Sequence, residues 1–342
     1  MIRRSLLFSA ALIVPTFARS GSLVSVQGTP GSPVPQPVNP FADLDLPELA
    51  ITVTAGAIEG LPPQLPAGRY ILSVTGATAT PESGVGSGVV FLQVPSNMTT
   101  DSLLDAIAET AAMPAMMDES SPSWMVNTSV TGGPYARNDE TVYAVVDLAA
   151  GSWVLWTEDP NAPQRPVPVT VTGEASSDPP TPVSDVRIEL DEFFYAFSND
   201  IAAGPLILEV ANVGTLPHFI ALIRVSEDTT VEDIQALVAG AAGAAGAAGA
   251  AGAAGAAGAD GAPPAPVGNL AVANVEQVFA AGDQSDGVTA WYATSLSAGT
   301  YAAVCFMTSS IIDGSLTLLG EQGASHTLMG MVAIIEVTES RI

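Results

Sequence analysis

Short runs of β-branched, aliphatic and aromatic residues recur along most of the chain, each closed by a turn rich in Gly or Pro. Strands at such intervals, without alternating helices, predict an antiparallel all-β sandwich and argue against a parallel α/β sheet. The runs also repeat themselves. Residues 67–74 (AGRYILSV) are answered by 203–210 (AGPLILEV), 142–148 (VYAVVDL) by 290–296 (AWYATSL), and 150–156 (AGSWVLW) by 298–304 (AGTYAAV). The run 89–94 is answered by 219–225, and 167–171 by 333–337. In each copy a Thr-Thr pair, Thr99-Thr100 or Thr229-Thr230, opens one helical piece, because a threonine hydroxyl can accept from the free N–H groups of a first turn. The expected fold is therefore two tandem Greek-key sandwiches, residues 47–174 and 186–342, each with a short helical insertion.

The remaining segments read as connections. Arg3 and Arg4 precede an apolar run from Leu6 to Ala18 followed by small residues, the layout of a signal peptide over residues 1–20. That run is too short to span a bilayer, so the expectation is a secreted, periplasmic or cell-surface protein with no integral span after signal removal. Residues 21–46, rich in Pro, Gly and Ser, read as an extended linker, and 175–185, with Pro179, Pro180 and Pro182, as the link between copies. The second copy carries a low-complexity tract at 239–262, with glycine at every third position from Gly240 to Gly258. Collagen shares that period but needs imino acids between the glycines, and Ala-Ala stands there instead. The tract reads as a surface excursion.

Charge then narrows the partners. Nine Arg and no Lys face 35 acidic residues, for a net charge of −26, which disfavours nucleic acid and anionic lipid surfaces. Scarcity narrows the chemistry further. One cysteine cannot form a disulfide within the chain. That cysteine and the two histidines fall within the last 125 residues in the order His218, Cys305, His326, with Met329 and Met331 just behind. One thiolate, two imidazoles and a weak thioether are the donor set that suits a mononuclear copper in both oxidation states. The competing reading is a buried cysteine and two surface histidines on a metal-free sandwich that serves as a binding or surface-structural module. Met113, Met116 and Met117 form a second soft cluster, which reads first as core filling.

Three segments around those residues carry a family likeness. Residues 210–219 (VANVGTLPHF) bring a histidine after an Asn and Gly turn and a proline, 301–306 (YAAVCF) end a strand in the cysteine, and 326–332 (HTLMGMV) follow a His-x3-Gly-Met-Val pattern. Together they resemble the cupredoxin (blue, type 1 copper) family over about residues 186–339, and weakly over 47–173 through the repeat. The resemblance implies one copper held by His218, Cys305 and His326, with Met331 axial in preference to Met329 because its spacing and preceding glycine match. It also implies that Asn212 ties the ligand segments together and that Phe219, Phe306, Leu328 and Met329 surround the site. The first copy, with Gly88, Thr157 and Arg165 aligned to ligand positions, would hold no copper. One departure is large: 20 residues separate Cys305 from His326, where the family usually has a few, although long loops close at modest entropic cost. With both histidines in one site, none is left for a catalytic copper centre. The expected function is thus non-enzymatic, an extracytoplasmic blue-copper protein for one-electron transfer or copper handling with an unidentified redox partner protein.

Overall fold

A computed structural model describes residues 38–54, 57–76, 87–111, 128–136, 140–157, 166–240, 276–312, 315–317 and 324–339. The signal peptide, the linker up to residue 37, Met113, Met116, Met117, Arg165 and the Ala/Gly tract beyond Gly240 lie outside the described residues. Among the described residues no helix is long and apolar enough to cross a membrane.

Strand periodicity decides where the core forms. Val186–Asp191 buries Val186, Ile188 and Leu190 while the residues between them stay half-buried, and Val167–Thr172 buries Val169 and Val171 between exposed neighbours. Side chains at a period of two fall on one face of a strand, so each sheet presents an apolar face to the other. The main core between the sheets runs from Leu49 and Val74 through Phe91 and Tyr292 to Cys305 and Met331. Burial of this kind contributes roughly 25 cal/mol per Å² of apolar surface.

The chain builds an eight-stranded and a ten-stranded sheet. The first runs Phe194–Phe197, Val186–Asp191, Gly204–Asn212, Thr289–Leu296, Thr141–Leu148, Gly68–Gly76, Glu48–Val53, Ile58–Glu59. The second runs Ile201–Ala202, Val332–Thr338, Gly299–Val304, His218–Val225, Glu276–Gln284, Val130–Ala136, Ser87–Gln93, Gly151–Thr157, Val167–Thr172, Gln64–Pro66. Outward from the middle of either sheet, the two repeats contribute matching strands in the same order. The repeats therefore join edge to edge through the same strands, as subunits do across a two-fold axis. At the seam Ala144 pairs with Tyr292 and Val145 with Trp291 in one sheet, and Pro134 with Ala281 in the other. Gly132 is required there by close approach, since a Cβ on it would lie 2.3 Å from the Gly282 carbonyl oxygen.

Two helical pieces cover the outer face of the larger sheet. Thr100–Ala111 buries Leu103 and Ile107 against Val90, Leu92, Val130 and Val154, and helical residues 231–240 bury Ile234 against Ala221, Ile223, Ala302 and Val304. Thr99 caps the first, accepting from the Ser102 N–H at 3.1 Å. Thr230 caps the second, with Asp233 returning the bond to the Thr230 N–H at 3.0 Å.

Three details differ from the sequence reading. The sheets are mixed: Glu48–Val53 runs parallel to Gly68–Gly76, Val186–Asp191 to Gly204–Asn212, Gln64–Pro66 to Val167–Thr172 and Ile201–Ala202 to Val332–Thr338. Between each pair that opens a repeat the chain visits the opposite sheet, so it returns in its original direction. The end of the stretch read as linker is packed, with Phe41 only 1% exposed against Ile71, Val145 and Trp291. The repeat register also shifts by one. Gln93 pairs with Trp153 as Arg224 pairs with Tyr301, which sets Ser87, not Gly88, in the place of His218. A bulge lies in each partner strand, Glu276–Gln284 and Val130–Ala136, opposite the two strands compared.

Candidate metal centre

Three neighbouring strands of the larger sheet deliver the chemistry to one end of the second repeat. His218 opens the strand His218–Val225, Cys305 follows the antiparallel strand Gly299–Val304, and Met331 immediately precedes Val332–Thr338, antiparallel again. Alternating direction puts the start of the first, the end of the second and the start of the third together. His218, Cys305, His326 and Met331 are all fully buried. The donor atoms of the two histidines and the cysteine lie within 4.8 Å of one another. The His218 and His326 Nδ1 atoms are 3.0 Å apart, and the Cys305 Sγ is 3.6 Å from the His326 Nδ1.

The long Cys-to-His connection is pinched at its base. Thr308 pairs with Ser325 and Ser309 with Ala324, and beyond this neck Thr308–Ile312 also pairs with Ser315–Thr317. Below the neck, the His326 N–H donates to the Met307 carbonyl at 2.7 Å and the Thr327 N–H to the Cys305 carbonyl at 2.9 Å. The buried Thr327 hydroxyl donates to the Cys305 carbonyl at 2.8 Å and accepts from the Cys305 N–H at 3.2 Å. Gln235, on helical residues 231–240, donates to the Thr327 carbonyl at 3.1 Å. Loop length is thereby uncoupled from ligand spacing.

The turn after His326 closes with the Met331 N–H donating to the His326 carbonyl at 2.8 Å. Gly330 makes that turn with φ +116°, a conformation that strains any residue with a Cβ. Met331 enters the apolar cluster that contains Cys305; Met329 stays half-buried in the turn. Met307, not singled out from the sequence, is a further thioether buried in the same cluster.

On the other side, the approach to His218 is built around Asn212. Its amide donates to the Leu216 and Gln284 carbonyls, each at 2.7 Å, and its oxygen accepts from the Gly214 N–H at 3.0 Å. Asn212 therefore fixes the turn before His218 and fastens it to the strand Glu276–Gln284; Thr327, rather than Asn212, ties the Cys305 and His326 segments together. Glu192 braces the same turn, accepting from the Thr215 hydroxyl at 2.9 Å and the Leu216 N–H at 3.2 Å, and also from the Thr215 N–H. Burial alone would raise its carboxyl, but hydrogen bonds with Asp191 and with the Thr215 N–H and hydroxyl hold it down at about 2.

Phe219 and Phe306 pack together at 6.0 Å beside Ile223, Ile234 and Val304, on the outer face of the sheet. The ring that closes over His326 is Phe193, edge-on at 5.3 Å, carried by a hairpin turn in which Phe193 has φ +65°. Nothing in the local sequence marks that residue. Tyr195, from the same hairpin, donates to the Phe219 carbonyl at 3.2 Å.

Burial sets the protonation of the cluster. It pulls the His218 imidazole down to about 4 and, with His218 as a further cause, His326 to about 3; it pushes the Cys305 thiol up to about 12. At neutral pH the metal-free site holds two neutral imidazoles and a protonated thiol. The His218 Nε2 is buried without a hydrogen-bond partner among the described residues. Two borderline nitrogens and one soft sulfur, converging in a dry site, fit the donor preferences of copper. In the first repeat Thr157, buried opposite Val89, stands where Cys305 stands, and Ser87 opens the strand that His218 opens in the second. Neither supplies a thiolate or an imidazole.

Neither a protein-family model nor a curated protein matches the chain. Among solved structures it is similar to auracyanin from the photosynthetic bacterium Roseiflexus castenholzii, at 15% identity and a TM-score of 0.22 over 45% of this chain and 95% of that one. It is also similar to auracyanin B, at 15% and 0.23 over 46% and 92%, and to a blue copper oxidase from Nitrosomonas europaea, at 10% and 0.20 over 85% of each. At these scores the overlays carry no weight of their own. The metal reading stands on the convergence of His218, Cys305 and His326 at one end of the second repeat.

Proposed function

We propose that this cupredoxin-like tandem sandwich binds one copper ion, which the His218 Nδ1, the His326 Nδ1 and the Cys305 Sγ would hold with the Met331 thioether as a weaker donor, and serves as a one-electron carrier outside the cytoplasm. The carrying observation is the buried cluster itself, whose donor atoms converge within 4.8 Å. A bound copper there supplies a Cu(I)/Cu(II) couple. Cys305 holds its proton in the metal-free state, so taking up the ion displaces that proton. The hydrogen bonds of Thr327 and Asn212 fix the segments that carry the donors, and Phe193 shuts His326 from water. A site assembled in advance, on three strands of one sheet, favours electron transfer over copper handling, because little has to move when the ion changes charge. The signal-peptide pattern of residues 1–20 supports the location.

Copper titration followed by redox titration tests this. One equivalent should bind with release of about one proton from Cys305 near neutral pH, and the loaded protein should cycle reversibly by one electron. Met331→Leu should retain the copper at a higher potential, since the thioether favours Cu(II) over Cu(I). Failure to bind, or binding without reversible reduction, would remove the carrier function.

A further inference from the structure

We infer that Gln284 is a positioning residue that sets the tautomer of His218, and that its own orientation is dictated by the ligand-free repeat through Tyr292 and Gly132. His218 and Gln284 are directly paired across adjacent antiparallel strands. Residues so paired present their side chains on the same face. Both are 0% exposed, and both carry a buried polar atom without a partner among the described residues, the His218 Nε2 and the Gln284 Oε1. An unsatisfied buried group costs roughly 1–3 kcal/mol, and here the two orphans are complementary groups on paired residues. One donates if it is protonated; the other can only accept.

Which end of the Gln284 amide faces His218 is fixed from the far side. The Gly132 carbonyl can only accept, so at 3.0 Å the Tyr292 hydroxyl must donate to it. The Tyr292 oxygen is then the acceptor for the Gln284 Nε2 at 2.9 Å. The amide nitrogen is committed to Tyr292, and the amide oxygen is left for His218. Amide and imidazole orientations are assigned through such networks, and this one ends at a group that cannot reverse. An oxygen acceptor at the Nε2 side keeps the proton on Nε2 and leaves the Nδ1 lone pair facing Cys305 and His326. In the metal-free protein, His326 is then the Nδ1–H donor in the 3.0 Å contact between the two imidazoles.

The relay crosses the seam. Tyr292 belongs to the second repeat and pairs with Ala144 in the middle of the eight-stranded sheet, and Gly132 belongs to the first repeat. The first repeat, which has no cysteine or histidine, thus anchors the amide that orients one of its partner's histidines. This role rests on reading His218 as a copper ligand, whereas the tautomer can be measured with no copper present.

Nitrogen-15 NMR of the metal-free full chain reads it directly. Wild type should show His218 protonated at Nε2, Gln284→Leu should move a large share of the proton to Nδ1, and Tyr292→Phe should give a smaller shift in the same direction. Gln284→Glu keeps an oxygen acceptor and should restore the Nε2 tautomer, which also serves if the leucine variant does not fold. Removing such an outer partner typically lowers metal affinity by 10–100-fold, so copper affinity should fall by that factor in Gln284→Leu and recover in Gln284→Glu. In the loaded protein, pulsed EPR should show the remote nitrogen coupling of His218 altered in Gln284→Leu. An Nδ1-protonated His218 in wild type, or a folded Gln284→Leu with the wild-type tautomer, would overturn the inference. A wild type with the Nε2 tautomer but no affinity for copper would uphold the tautomer and sink only the copper reading.

Discussion

Replacing Thr327 with valine probes how His326 is held despite its 20-residue separation from Cys305. The change keeps the shape of the side chain and removes one hydroxyl, which donates to the Cys305 carbonyl at 2.8 Å and accepts from the Cys305 N–H at 3.2 Å in a fully buried setting. The carbonyl keeps two other donors, the Thr327 N–H at 2.9 Å and the Ser325 hydroxyl at 3.2 Å. The N–H loses the hydroxyl that accepts it. Leaving such a buried donor unmatched costs roughly 1–3 kcal/mol, and a lost hydrogen bond about 1 kcal/mol, so a net loss of about 2–4 kcal/mol is expected. Denaturant unfolding of the metal-free protein measures it, with Thr327→Ser as a control that keeps the hydroxyl. Copper should also leave the valine variant faster, because the segments carrying Cys305 and His326 are no longer locked together. A loss under about 0.5 kcal/mol with an unchanged copper off-rate would show that the strand neck at Thr308 and Ser325, and not Thr327, positions the histidine.

Two further outcomes follow from burial and from the seam. The folded imidazoles of His218 and His326 titrate below their ordinary 6.5, so the unfolded chain binds more protons as the pH falls; stability of the metal-free protein is fully present above 6.5 and is lost from there toward pH 4, by roughly 2 kcal/mol per imidazole at pH 5. The Cys305 thiol is raised from 9.0 to about 12, so stability is also lost as the pH rises above 9; urea midpoints across pH 4–11 that show neither limb would contradict the burial of these groups. Gly132→Ala places a Cβ 2.3 Å from the Gly282 carbonyl oxygen at the seam and should destabilise the protein by several kcal/mol or separate the repeats, whereas Gly68→Ala, with open space around its Cβ, should cost under about 1 kcal/mol.

The strands and the cluster were legible in the sequence for a simple reason: both depend on residue type along the chain. Turn-bounded apolar runs locate strands, and the lone cysteine with two histidines singles out its own set. What escaped depends on contacts between distant segments. Ser87 rather than Gly88 matches His218 because the register is set by hydrogen-bonded pairing with the neighbouring strands, and likeness of side chains does not reveal that pairing. The parallel pairings arise from where the chain crosses between sheets. Phe193, Thr327 and Gln284 reach the site only through pairing of distant segments; Phe193 and Gln284 belong to no motif, and Thr327 fills an unspecified position of the 326–332 pattern. Asn212 was visible through its Asn and Gly turn, but its partners proved to be Leu216, Gln284 and Gly214, so its place in the turn was readable and its role as a tie was not.

The visible absorption spectrum of Cu(II)-loaded protein, wild type beside Cys305→Ser, tests the central claim most directly. A thiolate bound to Cu(II) gives an intense charge-transfer band that imidazoles and thioethers do not, so the wild type should turn blue or green with one copper per chain, and the serine variant, whose hydroxyl does not ionise at neutral pH, should stay colourless. A colourless wild type that retains no copper after loading would contradict the account and leave a metal-free tandem sandwich.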